Sequence, residues 1–122
     1  MKQILIAEDD KFLVTALADK LERDGFVVRR AKDGLEAMLL LKESKPDLVL
    51  LDLIMPKKNG FEVLAEMKAD PQLKDVPVLV LSNLGQETDV AKAKSLGAQD
   101  YLVKADVQLA EVVVKVKKLL GS

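Results

Sequence analysis

Asp47-Leu-Val-Leu-Leu-Asp52-Leu-Ile-Met-Pro56 is the stretch on which the fold of this 122-residue chain turns. Leu48 to Leu51 form an apolar run without alternation, the pattern of a strand buried on both faces of a parallel sheet. The run ends at a carboxylate, Asp52, and Pro56 soon closes off any continuation of a hydrogen-bonded ladder. Aspartate is a common turn residue, so Asp52 taken alone reads as the start of a surface turn. It reads differently once the same strand-then-polar pattern recurs along the chain, because open α/β sheets place their ligands at the carboxyl ends of strands.

Upstream, Gln3 to Ala7 is a first strand that ends at Glu8-Asp9-Asp10. A helix follows to about Asp24, with Leu13, Leu17 and Leu21 on one face and Gly25 where a left-handed cap is expected. Phe26 to Ala31 is a second strand, and its Arg29-Arg30 pair places it at a sheet edge. Asp33, with Glu36 three residues on, caps a second helix running to about Ser44, and Lys45-Pro46 breaks it. Downstream, Asn59-Gly60 opens a third helix with Phe61, Leu64 and Ala65 on one face, and Pro71 lies beyond its end. Val78 to Leu81 is a second fully apolar strand, ending at Ser82-Asn83. The fourth helix, about Glu87 to Leu96, has only Val90 and Leu96 as large apolar residues and is expected to pack weakly. Tyr101 to Val103 is a short fifth strand ending at Lys104, and Leu109, Val112, Val113, Val116 and Leu120 stripe a last helix.

Strict alternation of strands and helices predicts an α/β fold: a doubly wound, five-stranded parallel sheet with helices on both faces, a three-layer sandwich. Polarity puts the second and fifth strands at the edges, consistent with the common order 2-1-3-4-5. The length suits one domain with a real core. No cysteine or histidine is present, which removes thiolate chemistry, imidazole bases and most zinc sites. A net charge of −1 gives no electrostatic case for nucleic acid or an anionic membrane as a partner. The opening apolar run is too short for a secretory signal or a membrane span.

In such a sheet Glu8 and Asp9, Asp52, Ser82 and Asn83, and Lys104 all gather on one rim. Three carboxylates within about 5 Å of one another repel by about 3 kcal/mol per pair at an effective dielectric near 20. Such a cluster needs a cation or at least one raised pKa, and oxygen ligands alone favour a hard cation, Mg2+ best. Asp52 is then a candidate nucleophile toward phosphorus. Lys104 and the Ser82 hydroxyl are suited to the arriving phosphoryl oxygens.

These residues resemble the receiver domains of two-component response regulators, CheY-like domains of flavodoxin-like fold. The resemblance covers the whole chain, 1–122, as one receiver domain. It rests on Ile4-Leu-Ile-Ala-Glu-Asp9, on Asp52 with Met55-Pro56 and Asn59-Gly60, on Ser82, and on Tyr101 with Lys104. It implies that Asp52 accepts phosphate from a sensor histidine kinase or phosphotransfer protein. It also implies that Glu8, Asp9, Asp52 and the backbone carbonyl of Ile54 hold Mg2+. Ser82 and Lys104 would bind the phosphoryl group, and Tyr101 would move inward with Ser82. The fourth helix, fifth strand and fifth helix would form the face for a downstream target or self-association. The expected protein is a cytoplasmic, stand-alone switch that catalyses only its own phosphorylation and dephosphorylation.

Two positions depart from the family pattern. Asn83 replaces the small residue that usually follows the serine, and predicts slower phosphoryl entry and loss. Ala105 replaces a proline, and a non-prolyl cis bond costs about 3 kcal/mol, so a trans Lys104–Ala105 bond with a rearranged loop is expected. The alternatives are a receiver-fold interaction module that no longer accepts phosphate and a small Mg-dependent phosphohydrolase with an aspartyl nucleophile. The hydrolase usually carries a second acid where this chain has Ile54. A flavin-binding module of the same fold would place its phosphate against Glu8-Asp9-Asp10, which would repel it.

Overall fold

Leu48 to Leu51 are all buried, and this strand lies at the middle of a five-stranded parallel sheet of order β2-β1-β3-β4-β5. The computed structural model describes residues 1–121, so the last residue of the expected 1–122 receiver span, Ser122, lies outside the described residues. The strands are β1 (Gln3–Ala7), β2 (Val27–Ala31), β3 (Leu48–Leu51), β4 (Val78–Ser82) and β5 (Asp100–Val103). They alternate with α1 (Lys11–Arg23), α2 (Gly34–Glu43), α3 (Gly60–Ala69), α4 (Glu87–Ser95) and α5 (Leu109–Leu119). A short 3-10 turn, Lys104–Asp106, joins β5 to α5.

Side chains alternate across each strand, and the alternation divides the core in two. Leu5, Ala7, Val49, Leu51, Val78 and Val80 face α2, α3 and α4, meeting Met38, Leu41, Val63, Leu64, Met67 and Ala93. Ile4, Ile6, Leu48, Leu50, Leu79 and Leu81 face α1 and α5, meeting Val14, Leu17, Leu21, Val112, Val113 and Val116. The result is the three-layer sandwich expected from the alternating pattern, with the polar strands β2 and β5 at its edges.

Three details differ from the sequence reading. Phe26 is not in β2: its N–H bonds Leu21 O while that of Gly25 bonds Glu22 O, with Gly25 at φ +94°. This is the double carbonyl closure of a helix end around a left-handed glycine, and it uses Phe26 before the strand can begin. The inward face of α3 is Val63, Leu64 and Met67, with Phe61 half-buried and Ala65 exposed. Turning that face inward buries valine and methionine instead of alanine, which removes more apolar area from water. Strand β5 begins one residue early, at Asp100, and Lys115 pairs with its carboxylate at 2.9 Å. The weak packing expected of α4 is observed, since Ala93 is its one buried residue.

The turn after β3 is held by α3. Asn59 and Glu62 form a reciprocal capping box at the start of that helix. Gly60 donates its N–H to Leu53 O at 2.9 Å. A Cβ on Gly60 would lie 2.2 Å from the carbonyl oxygen of Asp52 and 2.6 Å from the Cα of Leu53. Backbone atoms cannot yield as a side chain would, so Gly60→Ala is expected to destabilise the fold by about 1–3 kcal/mol. Urea unfolding of the variant should show the loss as a lower midpoint with unchanged slope.

Candidate functional site

Register brings the acids together. Ala7 lies opposite Leu51 in the β1–β3 pair, so the next residues, Glu8 and Asp52, emerge side by side at the carboxyl rim. Backbone bonds hold both in place: Asp52 N to Ala7 O and Glu8 N to Ala31 O, each 2.9 Å. Parity aims them. Glu8 continues the Ile4–Ile6 series, Asp52 the Leu48–Leu50 series and Lys104 follows Leu102, all on the α1/α5 face. Asp10 takes the role of helix cap, accepting from the N–H groups of Phe12 and Leu13 at 3.0 and 3.2 Å. Glu8 and Asp9 therefore remain for other work.

Glu8, Asp9 and Asp52 each present a carboxylate oxygen, and these oxygens lie within 4.8 Å of one another. Glu8 and Asp52 are both 5 % exposed, whereas Asp9 is open to solvent. The ammonium of Lys104 bridges the two buried acids, 2.6 Å from Glu8 Oε1 and 3.1 Å from Asp52 Oδ2. The remaining oxygens accept from Asp10 N at 3.0 Å and from Ile54 N at 3.3 Å. The Lys104–Ala105 bond is trans, as expected. The loop there is a 3-10 turn that begins at Lys104 and leaves its ammonium on the acids.

The cavity above these groups, about 260 Å³, is lined by Glu8, Asp9, Asp10, Asp52, Ile54, Asn83 and Lys104. Ser82 is absent from that lining. It follows Val78 and Val80 on the opposite face of β4, is fully buried, and its Oγ accepts from Leu84 N at 3.4 Å. Tyr101, half-buried on the same side, donates its hydroxyl to Leu84 O. Burial and the nearby Asp89 carboxylate push the phenol pKa up, which keeps it a neutral donor. Sequence reasoning put every strand-end residue on one rim without asking which face each addressed. The alternation of β4 would have singled out Asn83, which continues the Leu79–Leu81 series.

A family model for the response regulator receiver domain matches residues 4–117. The chain is similar to the DNA-binding dual master transcriptional regulator RpaA of Synechocystis, 39% identical over 98% of this chain and 49% of RpaA. It is similar to the protein PilH of Pseudomonas aeruginosa, 36% identical over 85% of this chain and 86% of PilH. Among solved structures it is similar to the Mn2+-bound response regulator Rcp1, with TM-score 0.87, 35% identity and coverage of 97% and 93% of the two chains. The chain spans about half the length of several curated relatives it matches, RpaA and CpxR among them.

Burial pushes the Glu8 carboxyl up to about 7, against the hydrogen bonds from Lys104 and Asp10 N and with the Asp52 charge adding to the rise. Burial alone would lower the Lys104 ammonium, but the hydrogen bond to Glu8 and the charges of Asp52 and Glu8 outweigh it and raise its pKa. The proton on Glu8 favours the fold fully below the ordinary value of 4.5, and that contribution is lost as pH rises through about 7. The donor set, carboxylates without nitrogen or sulfur, suits a hard divalent cation. Cation binding competes with the Glu8 proton. Calorimetric titration with Mg2+ should therefore show affinity falling by up to about tenfold per unit as pH drops below 7, and Glu8→Gln should flatten that dependence.

Proposed function

The chain belongs to the response regulator receiver domain family, matched across residues 4–117, and on that premise we propose a phosphorylation-driven switch of a two-component phosphorelay. The observation that carries the reading is the Lys104 ammonium set between Glu8 and Asp52, with Asp9 alongside. Asp52 is the acceptor: a carboxylate oxygen attacks phosphorus, the bond from phosphorus to the donor breaks, and its electron pair leaves with the donor. Lys104 already lies within hydrogen-bonding distance of Asp52 and is placed to meet the negative charge that arrives there. Glu8, Asp9, Asp52 and the carbonyl of Ile54 would hold Mg2+. When bound, the ion would neutralise the phosphoryl oxygens and offset the carboxylate repulsion.

Ser82 and Tyr101 form the reporting pair of this reading. The Ser82 hydroxyl would turn from Leu84 N toward a phosphoryl oxygen, and Tyr101 would follow into the space it leaves. The donor is a sensor histidine kinase or a phosphotransfer protein, acting in the cytoplasm. Output runs through α4, β5 and α5, by binding a downstream target or a second copy. The looseness of α4 supports this assignment, since weakly buried elements are the ones that move at little cost. None of the helices described is long and apolar enough to cross a membrane. Incubation with Mg2+ and acetyl phosphate, followed by intact mass measurement, should show one phosphoryl adduct. Asp52→Asn should abolish it, and Lys104→Met should slow its formation about ten- to hundredfold, as expected for a lost charged hydrogen bond.

A further inference from the structure

The cavity over Asp52 is rich in acceptors and poor in donors. Its lining offers the carboxylates of Glu8, Asp9, Asp10 and Asp52, the apolar side chain of Ile54, and one ammonium, Lys104, already shared between two acids. Ser82 is 0 % exposed and turned to the other face of the sheet, so its hydroxyl does not reach this space in the structure. Asn83 does reach it, exposed and on the lining. A carboxamide carries two N–H donors without formal charge. It can meet an anion without competing for the carboxylates.

We propose that Asn83 is an anion-binding residue of this site, its Nδ2 donating to an oxygen of the phosphoryl group carried by Asp52. The inference rests on the phosphoacceptor reading above. It assigns Asn83 more than bulk: the side chain narrows the approach to Asp52 and also holds what arrives. An aspartate at the same place would add a further carboxylate to the lining and repel the anion instead.

Beryllium fluoride, a tetrahedral phosphoryl mimic that is not transferred, separates these effects. With Mg2+ present, ¹⁹F NMR of the wild-type protein should show a bound signal, and Asp52→Asn should lose it. Asn83→Leu keeps comparable size without a donor, and Asn83→Ala removes both. Each should weaken fluoroberyllate binding about tenfold, the effect of one hydrogen bond to a charged group. Mg2+ affinity measured alone should stay at the wild-type value in both. Wild-type affinity in Asn83→Leu, or tighter binding in Asn83→Ala, would show that the side chain only fills space and would overturn the proposal. No bound signal in the wild-type protein would overturn the phosphoacceptor reading itself, and the role of Asn83 with it.

Discussion

The ammonium of Lys104, held between Glu8 and Asp52 at 2.6 and 3.1 Å, is the contact on which the rim of this molecule depends. At 4.8 Å, two carboxylates repel by about 3 kcal/mol at an effective dielectric near 20. That is a large part of the 5–15 kcal/mol by which a domain of this size is usually stable. Glu8 and Asp52 cannot relieve the repulsion by moving apart, because their backbones continue adjacent strands that are buried over Ile4 to Ala7 and Leu48 to Leu51. The relief comes from the proton that burial favours on Glu8 and from a counter-charge brought to the pair. Lys104 supplies one from the far edge of the sheet, across β4, and that reach ties the loop after β5 to the ends of β1 and β3.

The same tension makes the site useful. A rigid set of carboxylates with incomplete compensation suits a divalent cation, and in the proposed switch it would present Asp52 to an electrophile beside a fixed positive charge. The scaffold around it is graded in firmness. Near Asp52 the Gly60 contact and the Asn59–Glu62 capping box fix the loop closely. Farther out, α4 is held by little: Ala93 in the core and Lys92 above the Phe61 ring at 4.3 Å from its centre. The bond from Tyr101 to Leu84 O fastens the loop just before it. A change at Asp52 would find its least resistance there.

Much of this was legible in the residues. Unbroken apolar runs marked β3 and β4 as interior strands, the arginines marked β2 as an edge, and charges at strand ends located the rim. Three things were missed, each for a physical reason. The helix stop at Gly25 drew in Phe26, because backbone hydrogen bonding of the cap competes with strand pairing. The turn of α3 was missed because a short helix offers several apolar stripes, and side-chain volume chooses among them. Ser82 and Asn83 were placed together on one rim, although neighbouring residues of a strand address opposite faces of the sheet. That alternation was present in the sequence.

The account is tested most directly by locating the ion. Crystals grown with Mn2+ and measured for anomalous scattering should show a single strong peak bounded by the carboxylates of Glu8, Asp9 and Asp52, with Lys104 within hydrogen-bonding reach of Asp52. Carboxylates of Glu8, Asp9 and Asp52 pointing to separate surfaces, or an ion ordered elsewhere and none at this rim, would contradict it.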